Sequence, residues 1–384
     1  MASVELNVEA ETVQIATLSR EQIPVALHTL LRLIFFTERA ERFFSLTVTE
    51  ADVTIIATAE DLSLLSPYGL QQDGTNWRVV RVGEGAQGFE EVGVIERITG
   101  PLAAAEIPVL YISTFCSDYV LIPSARLDDA LLCFDPSAAR EPSKQPAPHS
   151  SAAPPASPPA DSPADSPADA PADAPADAPA DAAAGSPPDA SVRSASQDPP
   201  QHSHPLNVLH ACTRILQIER RHRQAHTHAL IRLLFMPAQD DPPQLIASLT
   251  ETPDEISILA GDSEWWNEHC KATEGVHDDS QLWVPLRVGD ACGTPLEEIG
   301  VVATQAYVLS MASVTILYLS TYFSDYTLVM QDSVETAVSA FKRHGFNVTH
   351  HGIHEIKYND DPDESAHEAA NPIGQPSDSP ALQE

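Results

Sequence analysis

An α+β fold in two duplicated halves, each an antiparallel sheet carrying helices, is what the sequence predicts. Three observations carry this expectation. First, VLYISTFCSDYVLIP (109–123) returns as ILYLSTYFSDYTLVM (316–330), each copy breaking at a Ser-Asp-Tyr step. HTLLRLIFF (28–36), FSLTVTEADVTIIA (44–57), NWRVVRVG (76–83) and EEVGVI (90–95) also return in order, displaced by roughly 200 to 207 positions. Second, segments of period two alternate with segments of helical period in both copies. Third, from about Asp135 to Pro205 the chain is Pro, Ala, Ser and Asp with scarcely any large apolar residue. Such a stretch buries too little surface to offset its ordering entropy, so it reads as a disordered, partly polyproline-like tether.

Taken in order, VELNV (4–8) and TVQIATL (12–18) alternate as two short strands. In IPVALHTLLRLIFF (23–36), Val25, Leu27, Leu30, Leu31 and Ile34 fall at helical spacing. FFSLTV and DVTIIA form a hairpin about the polar turn Thr49–Asp52, and Trp77 to Val82 is a further strand. EVGVIERI (91–98) then reads as a strand, and Gly100 with Pro101 opens a helix. VLYISTF and DYVLIP pair around Cys116 and Ser117, and ARLDDALLCF closes the half as a helix with Leu127, Ala130, Leu131 and Phe134 on one face. Each half therefore holds two βαββ-type units, and the split βαββαβ order is the ferredoxin-like plan. A sheet covered on one face needs a partner for its other surfaces or edges, so the halves are expected to pair about a pseudo-twofold.

Composition restricts the function classes. The 384 residues carry a formal net charge of −34, which argues against nucleic acid and against anionic membranes as partners. Five cysteines are scattered singly (Cys116, Cys133, Cys212, Cys270, Cys292), which fits a reduced compartment and neither a disulfide framework nor a zinc site. No signal-peptide pattern and no run of about 18 apolar residues occurs, so a cytoplasmic, soluble chain without membrane insertion is expected. GEGAQG (83–88) opens no long helix of a βαβ unit and does not make a nucleotide loop. His350, His351 and His354 lack an acid or thiol at ligand spacing, so no metal and no cofactor is expected.

VVRVGEGAQGFEEVGVIERITGPLAAAEIPVLYISTFCSDYVLIP (79–123) is similar to the ligand-binding ACT repeat of the cytosolic arginine sensors of the CASTOR type. HTHALIRLLFMP (226–237), SLTETPDE (248–255) and LSTYFSDY (319–326) resemble the opposite half of those sensors. The resemblance implies four ACT-like units: 1–88, 89–135, 205–295 and 296–356, with a linker at 136–204 and an acidic tail at 357–384. The better ligand-site match lies first, which implies halves in exchanged order, and Val92 stands where the family has Cys. The resemblance places a ligand between the second units of the halves, at Gly88, Glu91, Val92, Gly93, Thr114, Phe115 and Asp118, with Thr315 and Ile316 from the opposite half.

The chemistry of these residues suits a free amino acid with a cationic side chain, arginine foremost. Asp118 and Glu91 can accept charge-assisted hydrogen bonds from a guanidinium or ammonium, and Gly88 and Gly93 let backbone approach a ligand. Plainer readings stand beside this one. Asp118 could be a turn acid, Glu91 and Asp118 recur as Glu298 and Asp325 through duplication alone, and Phe115 and Tyr322 suit a core. Pro295 and Leu296 replace Gly88 and Phe89 in the second copy, so one dominant site is expected. The function implied is a non-enzymatic sensor whose occupancy is read by a protein partner in the amino-acid input to the TOR kinase. The alternatives are a ligand-independent scaffold and a subunit regulating an amino-acid biosynthetic enzyme, such as an aspartate kinase, in trans. A homodimer is left open.

Overall fold

The computed structural model describes residues 5–37, 39–83, 92–134, 204–236, 245–289, 296 and 298–351. The tail and, apart from His204, the linker lie outside these residues.

β1 (Leu6–Ser19) is one strand of 14 residues where two were expected, because a register shift between Val8 and Thr12 bends the ladder without ending it. α1 (Ile23–Phe35) buries Ala26, Leu30, Leu33, Ile34 and Phe35, and leaves Val25 61% exposed, so its inward stripe is rotated from the predicted one. β2 (Phe44–Thr49) and β3 (Asp52–Ala57) form the expected hairpin. Thr58 caps the short α2 (Ala59–Ser63) by accepting from the Asp61 amide, and β4 (Gln71–Gln72) returns to β1. The resulting strand order, β4-β1-β3-β2, is the ferredoxin-like one.

β5 (Trp77–Val82), α3 (Val94–Ala104), β6 (Leu110–Ser113), β7 (Asp118–Pro123) and α4 (Leu127–Phe134) complete the first half. Residues 94–98, read as strand, are the first turns of α3. Ile95, Ile98 and Leu102 are the buried stripe at helical spacing, and the positive φ of Gly93 (84°) sets the start of the helix. Pro101 therefore sits inside the helix and not at its opening.

The second half follows as β8 (Leu206–Leu209), β9 (Thr213–Ile218), α5 (Arg223–Phe235), β10 (Ile246–Glu251) and β11 (Ile256–Gly261). α6 (Glu264–Ala272), β12 (Val276–Asp278), β13 (Trp283–Val288), α7 (Val301–Met311), β14 (Ile316–Ser320), β15 (Asp325–Met330), α8 (Val334–Arg343) and β16 (Val348–His351) complete it. Gly300, φ 84°, starts α7 as Gly93 starts α3, so IGVVATQA is likewise helix from Val301.

The halves do not dock face to face; they join edge to edge and close on themselves. The hydrogen-bonded circuit runs β2-β3-β1-β5-β7-β6 through the first half and β14-β15-β13-β9-β11-β10 through the second, then returns to β2. One seam, β2 to β10, is a full antiparallel ladder from Phe44↔Glu251 to Thr49↔Ile246. The other, β6 to β14, has the single pair Ile112↔Leu319. Crossed bonds reinforce it: the Tyr111 amide donates to Ser320 Oγ (3.1 Å) and the Tyr318 amide to Ser113 Oγ (3.0 Å). Inside the ring lies a core drawn from both halves and from strands and loops alone, including Trp77, Ile112, Tyr119, Trp283, Leu319 and Tyr326. The helices pack on the outer face in three further clusters. No free edge remains on the circuit, which answers the pairing problem more completely than stacking would.

Candidate functional site

At the β6–β14 seam the duplicated Ser and Asp residues become partners. β6 and β7 pair Ser113 with Asp118, and β14 and β15 pair Ser320 with Asp325. In the second copy the Ser320 hydroxyl donates to Asp325 Oδ1 at 2.6 Å while its oxygen accepts the Tyr111 amide from the opposite half. Each Ser thus ties an acid of its own half to the backbone of the other. Burial pushes the Asp325 carboxyl up to about 6, Glu298 adds to the rise, and the Ser320 hydroxyl and His204 oppose it. Asp118 is raised in the same direction, chiefly by burial, with the hydroxyls of Ser113 and Tyr111 opposing.

Outside this strand pair, α3 and α7 cross. Gly93 lies so near α7 that an added Cβ would sit 3.5 Å from Ser310 Cβ. Val92 and Gly93 form the turn before α3, and Ile316 packs on the cluster that holds Ile95, Ile98 and Leu102 of that helix. Val92, Gly93, Asp118 and Ile316 thus lie on the elements that meet at this seam, with Thr315 adjoining Ile316 in a half-buried position. Thr114 and Phe115 go elsewhere. The Thr114 hydroxyl contacts Glu255 Oε1 (2.7 Å), and the Phe115 and Cys116 amides donate to Ser257 Oγ and Glu255 Oε1 (each 3.0 Å). That turn clasps β11 of the opposite half, as the equivalent Tyr322 amide clasps Thr54 (2.9 Å). Gly88 and Glu91 lie outside the described residues.

The second copy of the seam holds a small cleft of about 10 Å³ between the halves, lined by Thr99, Ile107 and Val109 from the first and by Glu298, Gly300 and Val301 from the second. His204 Nε2 lies 2.6 Å from Glu298 Oε1 at its margin, although sequence reading assigns His204 to the linker. His204, Ser113 and Ser320 are the residues that sequence reasoning passed over. The serines stood at matching places in the twinned strands, which was the available signal; His204 stood among Pro and Ser with none.

Comparison with known proteins agrees with this architecture. The ACT domain family matches residues 74–134 and 280–343, the two segments that meet at the α3–α7 seam. The N-terminal domain of the cytosolic arginine sensor for mTORC1 subunit 1 matches residues 12–66. Proteins named cytosolic arginine sensor for mTORC1 subunit 1 are similar to it. That of Pongo abelii is 34% identical over 129 residues, covering 28% of this chain and 38% of the relative. That of Homo sapiens is 33% identical with the same coverage, and that of Mus musculus 30% identical over 152 residues, covering 34% and 44%. The matched portion thus spans well under half the length of these relatives. Among solved structures, aspartate kinase from Synechocystis gives a TM-score of 0.29 at 10% identity, covering 88% of this chain and 56% of that one. A protein of unknown function from Vibrio cholerae gives 0.25 at 17%, covering 34% and 88%; both superpositions are too loose to define a shared fold.

The chain is a tandem ACT-type α+β protein. Parts of it are similar to cytosolic arginine sensors of the CASTOR type. The N-terminal sensor domain falls on the N-terminal half, so the halves are not in the exchanged order expected from the ligand-site motif. Among the described residues no helix is long and apolar enough to cross a membrane.

Proposed function

We propose that the chain is a non-enzymatic sensor that binds a free cationic amino acid, arginine foremost, at the α3–α7 seam and presents its occupancy to a protein partner in nutrient signalling through the TOR kinase. The chain divides in this reading into four ACT-like units at 1–88, 89–135, 205–295 and 296–356. The observation that carries it is the carboxyl of Asp118, held up by burial at the seam where the ACT matches of both halves meet. A guanidinium or ammonium arriving there relieves the cost of ionising that acid. Val92, Gly93, Thr315 and Ile316 shape the seat, Gly88 and Glu91 complete it as the resemblance implies, and Thr114 and Phe115 position it by clasping Glu255 and Ser257. The names of the relatives support the ligand class and the partner.

Glu298, which lines the small cleft of the second copy and raises the Asp325 carboxyl, supports a second seat of the same kind, in agreement with the unexchanged order of the halves. Calorimetric titration of the full chain with the twenty amino acids, repeated on Asp118→Asn and Asp325→Asn, separates the two. A charge-assisted hydrogen bond contributes about 1.5–3 kcal/mol, so loss of the acid that holds the ligand weakens binding by about 10- to 150-fold. Weakening in Asp118→Asn alone assigns the first seat, and in Asp325→Asn alone the second. No binding, or binding indifferent to both changes, refutes the proposal. Binding also strengthens as pH rises through the acidic range, because Asp118 must lose its proton to pair with a cation.

A further inference from the structure

A larger cleft, about 320 Å³, opens where the β2–β3 turn of the first half meets β13 and the β14–β15 turn of the second. It is separate from the α3–α7 seam and shares no lining residue with the cleft there. Its polar lining includes Arg287, Glu50, Asp52, Gln71 and Tyr326, and its apolar lining Leu209, Leu245 and Phe323.

The duplication supplies an internal control. Arg287 of WVPLRV corresponds to Arg81 of WRVVRV, and the turn Thr49–Asp52 corresponds to Thr252–Glu255. In both turns the Thr hydroxyl accepts the amides two and three residues on, so the backbones match. Arg81 is neutralised within the chain: its Nη1 lies 2.7 Å from Asp254 Oδ2 and its Nε 3.9 Å from Glu9 Oε1. At the equivalent positions the other copy has Ala51 for Asp254 and Leu209 for Glu9, and both line the cleft. Arg287 makes no ion pair among the described residues. The two replacements remove its acids and, by their smaller or uncharged side chains, leave a space bounded by a guanidinium.

The remaining acids limit what can enter. Asp52 is buried and already accepts from Thr49 Oγ1 (2.6 Å) and Thr17 Oγ1 (2.9 Å). Glu50 is exposed at the rim. A simple anion would meet Arg287 but also two carboxylates, whereas a zwitterion satisfies both signs. We propose that this cleft binds a free amino acid with an apolar side chain, its carboxylate on Arg287, its ammonium beside Glu50, and its side chain against Leu209, Leu245 and Phe323. An arginine fork suits a carboxylate in two-point contact, and a mixed wall of this kind is usual for small-molecule sites.

The test uses the full chain and three probes of one shape: L-leucine, 4-methylpentanoate without the ammonium, and isoamylamine without the carboxylate. Titration calorimetry should give saturable binding of leucine with one site per chain, and binding of each truncated probe weaker by about tenfold or more. Arg287→Gln removes the fork, and Ala51→Asp installs the internal partner that Arg81 already has. Each should weaken leucine by about tenfold or more, while Asp118→Asn leaves leucine binding intact, so failure here is distinguishable from failure at the seam. A thermal melt checks that both variants fold; Ala51→Asp, on an exposed turn, is the safer. Absence of saturable leucine binding, equal affinity for 4-methylpentanoate, or leucine binding indifferent to both substitutions overturns the proposal.

Discussion

Glu251→Ala is expected to destabilise the protein by about 3–5 kcal/mol and to loosen the two halves from each other. Glu251 and Arg42 are each 1% exposed, and their side chains meet at 3.1 Å across the β2–β10 seam. The same carboxylate also receives Arg220 (3.1 Å) and Arg223. Arg42 donates in addition to the Leu33 carbonyl (2.8 Å) and stacks on Phe44, so it cannot swing to water. Burial lowers its pKa, and Glu251 is the largest influence opposing that. Removing the acid leaves one fully buried and two partly covered guanidiniums facing one another without their common acceptor. An exposed pair would cost about 1 kcal/mol or less, and the difference comes from a buried charge that keeps only the more distant Asp61 carboxylate (3.7 Å) as an ionic partner. Urea unfolding measures the stability, and size-exclusion after cleavage at a protease site inserted within 136–203 measures whether the halves stay together. An unaltered urea midpoint would refute the role given to Glu251.

Asp325→Asn is expected to act in the opposite direction, stabilising the protein at neutral pH. The folded carboxyl titrates near 6 against an ordinary value of 3.8, because burial disfavours its charge. A raised acid binds more protons folded than unfolded between those values, so wild-type stability falls as pH climbs from about 4 to about 6 and stays lower above. The linkage amounts to ~3 kcal/mol as an order of magnitude. Asn keeps an oxygen to accept from Ser320, whose bond to Asp325 is 2.6 Å, and removes the ionisation. The variant should therefore unfold at higher urea than wild type at pH 8 and at a comparable concentration at pH 4. Parallel curves for the two proteins across that range would exclude Asp325 as the titrating group.

Local order was legible in the sequence where it depends on neighbours. The hairpins β2–β3, β6–β7 and β14–β15 follow from period-two runs broken by polar turns, and the twin strands marked the duplication. α3 was misread because Val92, Val94 and the apolar residues after them suit either period over a short window, and Gly100-Pro101 looked like a helix start. The apolar stripe Ile95, Ile98 and Leu102, taken over a longer stretch, carried the correct period. Ring closure was not legible, since it rests on contacts such as Thr213↔Trp283 and Ile112↔Leu319 that no local pattern encodes. For the same reason Thr114 and Phe115 look like site residues along the chain, yet their partners Glu255 and Ser257 lie some 140 positions away. Asp118 was singled out by its repetition, but its tie to the other half runs through Ser113, a residue too ordinary to attract notice.

Closure of the ring by two unequal copies on one polypeptide has a consequence for how the molecule can evolve. In a ring of two identical chains every mutation appears at both junctions, and each junction must tolerate what the other requires. Fusion lifts that constraint: Arg81 has an acidic partner across its junction where Arg287 faces Ala51, and Glu298 has a histidine neighbour. Each junction is free to specialise, so a single frame can hold one contact rigid while its counterpart drifts toward a new chemical sensitivity.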